Sequence, residues 1–492
     1  MNVATPPPKL AGLLSGPLLF LFLLALPAPK GMDATAWKTA ALALWMAIWW
    51  ITEAIPIAAT ALLPLAAFPF LRVGSIEEAA APYANPVIFL FMGGFMIAAG
   101  LERAGLHRRV ALAIVQALGT RPARVVAGFM IASAAISMWV SNTATAVMML
   151  PMALSVIALL REPGESGEAQ AQWDPATERA QRNFRITMML GIAYGCSIGG
   201  VGTLIGTPPN ALLAGFMAES YGRQIGFGEW MLVGVPLVVV TLPLTWLVLT
   251  RWIYPVGEED VHGGAELIAN QRRALGPLSR SERILCVVLP LIALAWVFQP
   301  LLARVVPGIS DAGIAIVGAL LLFVLPSGSE EGGALLDWST AARLPWDVLI
   351  LFGGGLSLAG AINRTGLASW LGESLDALQG IPPVGVATAV TLVVIFLTEL
   401  TSNTATAAAF LPVAASVAAA FDTDPILLAV PAALAASCAF MLPVATPPNA
   451  IVYGTGHVSI PEMARAGLVL NLLFTAAIVI LTWTIVAAVF GA

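Results

Sequence analysis

Two short polar words, each present twice, are the residues of this chain best suited to act together. Ser141-Asn142-Thr143-Ala144-Thr145-Ala146 recurs 261 positions later as Ser402-Asn403-Thr404-Ala405-Thr406-Ala407. Thr207-Pro208-Pro209-Asn210 recurs as Thr446-Pro447-Pro448-Asn449. Asn, Ser and Thr offer neutral carbonyl and hydroxyl oxygens, and a helix broken beside them leaves backbone carbonyls without helical partners. A handful of such oxygens is a cage for a small hard cation, while helix N-termini at the same breaks suit an anionic group. Proline has no amide hydrogen and disfavours helix in the residue before it. Thr207-Pro208 and Thr446-Pro447 therefore predict breaks, with the first proline starting the next half-helix. No Lys or Arg lies in any of these neighbourhoods. A bound anion would then be held by cations, amides, hydroxyls and helix dipoles. The residues themselves leave anionic and neutral substrates both open.

The surroundings of these words are strongly apolar. The chain has 492 residues, 59% hydrophobic and 10% charged, against about 25% charged in a soluble domain. Many apolar runs reach the roughly 20 residues needed to span a bilayer. The reading is an all-α polytopic membrane protein, with spans near 11–28, 37–57, 59–71, 86–102, 184–220, 230–253, 283–303, 311–326, 345–363, 424–456 and 461–489. Residues 1–30, with Lys9 before an apolar run, read as a retained first span rather than a cleaved signal, because 11–26 lacks a clear small-residue cleavage site.

Segments 122–160 and 382–418 are apolar at both ends and carry Ser-Asn-Thr in the middle. Polar backbone at membrane depth is tolerated only where it lines a cavity or is buried in protein. Both segments read as re-entrant helical hairpins with Ser-Asn-Thr at the tips; two interrupted straight spans is the competing reading. The 261 offset also relates Phe91-Met92-Gly93-Gly94 to Phe352-Gly353-Gly354-Gly355, Gly105-Leu106 to Gly366-Leu367, and Pro151 to Pro412. The fourth and ninth spans would enter from opposite faces, which makes the halves inverted repeats. A repeated polar break in two hydrophobic halves is the sequence mark of a transporter's midplane site.

Orientation follows the distribution of Lys and Arg. With the N-terminus in the cytoplasm and 11 alternating spans, 17 of the 23 basic residues face inward and the C-terminus lies outside. Lys30, Lys38, Arg72, Arg223, Arg304 and Arg364 face out. The polar stretches Gln170–Arg182 and Gly257–Arg283, and the Glu330-Glu331 pair, read as cytoplasmic loops.

Other classes of function fit less well. Net charge is −5 with no basic block, which argues against nucleic acid. Cys196, Cys286 and Cys438 have no metal spacing and read as packed thiols. No Gly-x-x-x-x-Gly-Lys-Ser/Thr word is present, so an ATP-driven pump is disfavoured. His-Glu-x-x-His does not occur, which argues against a zinc-dependent intramembrane protease. A channel would carry its filter loop across subunits rather than as an internal inverted pair. Glu53 near the membrane is a functional candidate by default, although a structural hydrogen bond accounts for it more simply. Glu399, beside the second tip with Met138 as its repeat partner, is a candidate for tuning that site. His107 and His457 read as surface residues.

The four words in order, together with Trp49-Trp50-Ile51-Thr52-Glu53-Ala54-Ile55-Pro56, resemble the divalent anion/sodium symporter family over nearly the whole chain. The resemblance implies a homodimer in the bacterial inner membrane, elevator-type alternating access, and import of dicarboxylates such as succinate, malate or fumarate with sodium. A sodium-independent exchanger and a carrier of sulfate or another divalent anion are the alternatives. It implies at least two coupled sodium sites and no organic cofactor. The first would use Ser137, Ser141, Asn142 and Gly206; the second Thr398, Thr401 or Ser402, Asn403 and Ala445. Substrate carboxylates would meet Asn142, Thr143, Asn403 and Thr404, with Ser141, Ser402, Thr207, Thr446, Pro208 and Pro447 close by. Scaffold spans would occupy 1–85 and, with the connecting loop, 254–344. The inverted repeats would occupy 86–253 and 345–492.

Overall fold

Proline and glycine decide where the helices of this chain stop. The computed structural model describes residues 10–492 apart from 160–174, 259, 261–262, 329–331 and 375–379. Lys9, the 170–174 end of the first polar loop, parts of the second, and Glu330 and Glu331 lie outside the described residues. Among the described residues the regular structure is helical, with one isolated bridge between Pro326 and Ala334.

Among the described residues five helices are each long and apolar enough to cross a bilayer: Ile76–Ala104, Phe227–Ile253, Trp346–Arg364, Asn403–Ala420 and Ile460–Phe490. Arg280–Val297 and Gln299–Val305 make a sixth if taken together, bent by 82°. Of the remaining apolar runs, 37–57 is one helix, Ala34–Thr52, 184–220 and 424–456 are broken as expected, and others are short or divided where single spans were expected. The run at 59–71, for instance, is Ile57–Thr60, a turn, and Leu63–Leu71, with proline at the second helix's start.

The first hairpin segment is a helix Pro122–Ser137, a turn, and a helix Asn142–Ile157 packed against it. The second is Pro383–Leu397, a turn, and Asn403–Ala420, again packed together. At about 1.5 Å per residue, the two 16-residue arms of the first hairpin reach about 24 Å, short of a hydrocarbon core of about 30 Å.

Two broken spans accompany the hairpins. The first is Pro175–Gly200, an unwound stretch, and Pro208–Tyr221. The second is Ile426–Ala436, an unwound stretch, and Pro447–Tyr453. Thr207 (φ −144°, ψ 141°) and Thr446 (φ −142°, ψ 150°) are both extended, the conformation that the following proline enforces. The breaks therefore fall at the two Thr-Pro-Pro-Asn words.

Pro175–Gly200 runs alongside the first arm of the first hairpin, with Gly191 beside Met130, Gly195 beside Ser133 and Gly202 beside Met138 at the tip. Pro208–Tyr221 then continues along Asn403–Ala420 and Ile426–Ala436. It ends where Arg223 pairs with Asp424 at 2.8 Å. Pro447–Tyr453 in turn packs on Asn142–Ile157 and Pro175–Gly200. Each broken span thus follows one hairpin to its tip and then departs along the other.

The glycine pairs are points of close helix approach. Gly93 faces Ala315, and a β-carbon at Gly354 would lie 2.2 Å from the Ala61 carbonyl oxygen. At Gly355 the nearest atom would be 3.4 Å away, on the Ala408 side chain. Gly354→Ala is therefore expected to cost about 1–3 kcal/mol by overpacking, whereas Gly355→Ala leaves stability near wild type. Thermal unfolding of the two variants in detergent checks this; equal midpoints would contradict it.

Candidate functional site

The tips are built by short-range geometry that the two halves share. Asn142 and Asn403 each open the second arm of a hairpin. Ser137 and Thr398, both fully buried, stand five residues earlier at the end of the first arm. The Ser137 hydroxyl donates to Asn142 Oδ1, and the Thr398 hydroxyl donates to Asn403 Oδ1 at 2.8 Å. The turn between them lets a hydroxyl and an amide carbonyl face each other across the tip.

The breaks bring backbone oxygens to the same places. A β-carbon built at Gly200 would lie 2.7 Å from Asn142 Oδ1 and 3.0 Å from the Gly206 carbonyl oxygen. Ser137, Asn142 and Gly206 therefore present oxygens to one small volume, and only glycine at position 200 leaves it open. In the second half the Thr398 hydroxyl also reaches the Ala436 carbonyl oxygen at 2.9 Å. Ala445, the counterpart of Gly206, is buried at the end of the second break. The Thr401 hydroxyl is occupied elsewhere, 2.6 Å from Thr406 Oγ1 and 3.2 Å from the Leu397 carbonyl oxygen. Its carbonyl is what remains for a ligand. Among the described residues no three His, Cys, Asp or Glu cluster as a metal set.

The helix entrances differ between the halves. Ser141 caps its helix, accepting from the Ala144 amide at 3.2 Å, whereas Ser402 makes no side-chain cap bond. Thr446 accepts from the Asn449 amide at 3.3 Å, and Thr207 makes no side-chain cap bond. Ser141, Thr143 and Pro447 are exposed. Asn142, Ser402, Asn403 and Pro208 are half-buried, and Thr207, Thr404 and Thr446 are buried. The first tip is thus the more open of the two.

The last residue of each Thr-Pro-Pro-Asn word braces its own break. Asn210 Nδ2 lies 3.3, 3.2 and 2.8 Å from the carbonyl oxygens of Gly200, Val201 and Thr203. Asn449 Nδ2 donates to those of Ala439 and Leu442, both at 3.1 Å. Ala439 and Leu442 are the counterparts of Gly200 and Thr203 at the 239-residue offset of the two words. Val201 and Phe440 also correspond, and each carbonyl accepts from an aromatic residue, Trp230 Nε1 at 3.0 Å and the Tyr194 hydroxyl at 2.7 Å. Trp230 and Tyr194 are fully buried. Their roles were not legible in the sequence, because neither belongs to a repeated word.

Other candidates fall outside this site. Glu53 is exposed and ends the helix Ala34–Thr52 with a left-handed φ of 47°. His107 lies 3.3 Å from the Leu101 carbonyl oxygen beside the next helix start. Glu399, in contrast, is 3% exposed and touches the second break directly.

Because Asn210 and Asn449 satisfy carbonyls of the unwound breaks, truncation to Ala is expected to cost about 1–3 kcal/mol for each buried group left orphaned. The measurement is thermal unfolding without sodium or substrate; midpoints equal to wild type would remove the brace assignment.

Comparison with known proteins agrees with this architecture. Residues 9–489 match the family described as the sodium:sulfate symporter transmembrane region. The sodium-dependent dicarboxylate transporter SdcS of Staphylococcus saprophyticus is 43% identical over 487 residues, covering 98% of this chain and 92% of that one. SdcS of Staphylococcus aureus is 42% identical over the same shares. Among solved structures, the YdaH transporter of Alcanivorax borkumensis is similar with a TM-score of 0.52 at 16% identity, covering 92% of this chain and 98% of that chain. MtrF of Neisseria gonorrhoeae has a TM-score of 0.53 at 14% identity, covering 98% and 95%; at such identities the likeness concerns fold alone. With the matched region running almost from end to end and the repeated words at its hairpin tips, the chain belongs to the sodium:sulfate symporter family of multi-pass membrane transporters.

Proposed function

We propose that this protein carries C4-dicarboxylates such as succinate, malate and fumarate across the membrane together with sodium. The observation that carries the reading is the duplicated hydroxyl–asparagine pair, Ser137–Asn142 and Thr398–Asn403, each beside an unwound span. The names of the SdcS relatives favour dicarboxylate over the sulfate of the family description.

Sodium would be held first by Ser137, Ser141, Asn142 and Gly206, and second by Thr398, Asn403, Ala445 and the carbonyl of Thr401 or Ser402. Neutral oxygens replace its hydration shell, and the ion brings positive charge into a site that has no Lys or Arg. The dicarboxylate would lie between the tips, against Asn142, Thr143, Asn403 and Thr404, with Thr207, Pro208, Thr446 and Pro447 framing it. The N-termini of Asn142–Ile157, Pro208–Tyr221 and Asn403–Ala420 add partial positive charge. Alternating access would move the hairpins and broken spans as a transport unit against a scaffold of 1–85 and 254–344, in a homodimer.

The polar contacts keep the basic residues assigned inward and those assigned outward on separate faces, as alternating spans require. Basic residues assigned inward pair with one another's loops: Arg103 with Asp337, Arg109 with Glu282, and Arg182 with Glu462. Those assigned outward do likewise, Arg223 with Asp424 and Lys38 with the Leu71 carbonyl oxygen. Among the described residues no ion pair joins the two sets.

Uptake of labelled succinate into proteoliposomes under an inward sodium gradient tests the reading. Uptake should require sodium, and Asn142→Ala or Asn403→Ala should raise the sodium needed for half-maximal rate about tenfold, the weight of a bond to a charged group. Wild-type sodium dependence in both variants would sink the site assignment; sodium-indifferent exchange in the parent protein would sink the symport. A single cysteine replacing Arg121 should label from the cytoplasm and one replacing Pro382 from outside. Labelling of both from one side would refute the inverted arrangement.

A further inference from the structure

The two breaks are braced alike at their carbonyls but not at their amides. In the second break the carboxylate of Glu399 lies in a concavity of three successive backbone N–H groups. Phe440 N donates to Oε1 at 2.7 Å, Met441 N to both oxygens at 2.9 and 3.0 Å, and Leu442 N to Oε2 at 3.1 Å. Asn471 Nδ2, from the helix Ile460–Leu481, donates to Oε1 at 2.9 Å. Consecutive amides of this kind form an anion-binding nest. In each of these contacts the carboxylate accepts, and both oxygens are engaged, which is the pattern of the ionised group. In the first break the matching tip residue is Met138, and the link between tip and break is a neutral bond from the Thr203 hydroxyl to the Met138 carbonyl oxygen at 2.5 Å.

A buried charge held only by neutral donors lacks a countercharge. Among the described residues Glu399 forms no ion pair with a basic group. Its chain neighbour Thr398 bonds Asn403 Oδ1, the pair on which the second cage is built. The cage that would hold a cation therefore begins one residue along the chain from Glu399.

We propose that Glu399 supplies the fixed negative charge of the second sodium site, so that the second site binds sodium more tightly than the first and fills before it. The inference rests on the reading that the tips hold sodium. Glu399 acts as a positioning residue: it sets the field and fixes residues 440–442, and it does not coordinate the ion. The order of filling follows from the asymmetry, since the first cage has Met138 where the second has a carboxylate. Sodium binding at the second tip would then precede closure of the site around substrate.

The test is sodium titration of thermal stability in choline-balanced buffer without substrate, a readout independent of transport. A ligand that binds only the folded state raises the midpoint with its concentration. Glu399→Gln should raise the sodium concentration for half of the stabilisation about tenfold, the size of one opposite charge nearby. Glu399→Asp, which keeps the charge, should stay within about threefold of wild type. A lower midpoint for Glu399→Gln in sodium-free buffer, with an unchanged sodium half-effect, would make Glu399 a brace only and overturn the proposal. Should Glu399→Gln yield no folded protein, Glu399→Asp decides: a loss of about tenfold overturns the proposal, and retention supports it. Absence of any sodium stabilisation in the wild-type protein would instead defeat the reading on which the proposal rests.

Discussion

Backbone that is not helical must find its hydrogen-bond partners inside the protein when water is absent, and that constraint shapes every part of this site. An unpaired polar group in hydrocarbon costs several kcal/mol. The unwound stretches after Gly200 and Ala436 are therefore tied down one group at a time. Asn210 and Asn449 take inward-facing carbonyls, Trp230 shares that of Val201, Tyr194 takes that of Phe440, and Glu399 takes the amides of the second break. What is left over, the Gly206 carbonyl oxygen beside Asn142 Oδ1, is a set of oxygens that a cation can satisfy. Binding and bracing use the same chemistry, and the distinction lies in which oxygens the protein leaves unclaimed.

On the proposed reading the duplication gives two such places, and the differences between them would carry functional weight. Glycine at 200 and 206 in the first half becomes alanine at 439 and 445 in the second. Met138 becomes Glu399, and Val140 becomes Thr401. Each change alters a local field or a local volume without disturbing the shared frame of hydroxyl, asparagine and break. A transporter whose two cation sites differ in strength can load in order, and an ordered loading sequence ties the substrate site to sodium that has already arrived. On the proposed reading an anion in a site with no Lys or Arg would gain its countercharge from those ions, which would make cation and anion binding one thermodynamic event.

Much of this was legible in the sequence because proline and repeated polar words carry direct conformational meaning. Thr207-Pro208 and Thr446-Pro447 mark breaks for a steric reason, and the structure has extended threonines there. Ser137 and Thr398 were reachable through the 261 offset and the family resemblance. The eleven apolar runs were less faithful guides: runs such as 59–71 and 283–303 bend or divide, since hydrophobicity reports burial in lipid or protein but not helix continuity. Tyr194, Trp230 and Asn471 were hidden because their partners are distant in sequence and their residue types are ordinary in apolar helices. Glu53 drew notice as a lone charge, yet it ends a helix on the surface of the chain.

The central claim is that sodium at the tips creates the dicarboxylate site. Calorimetric titration of the purified protein with succinate, in sodium and in choline buffer of equal ionic strength, tests it most directly. The account predicts binding in sodium and little or none in choline, with succinate tightening sodium binding by the same factor that sodium tightens succinate. Succinate binding of equal strength in the two buffers would contradict it.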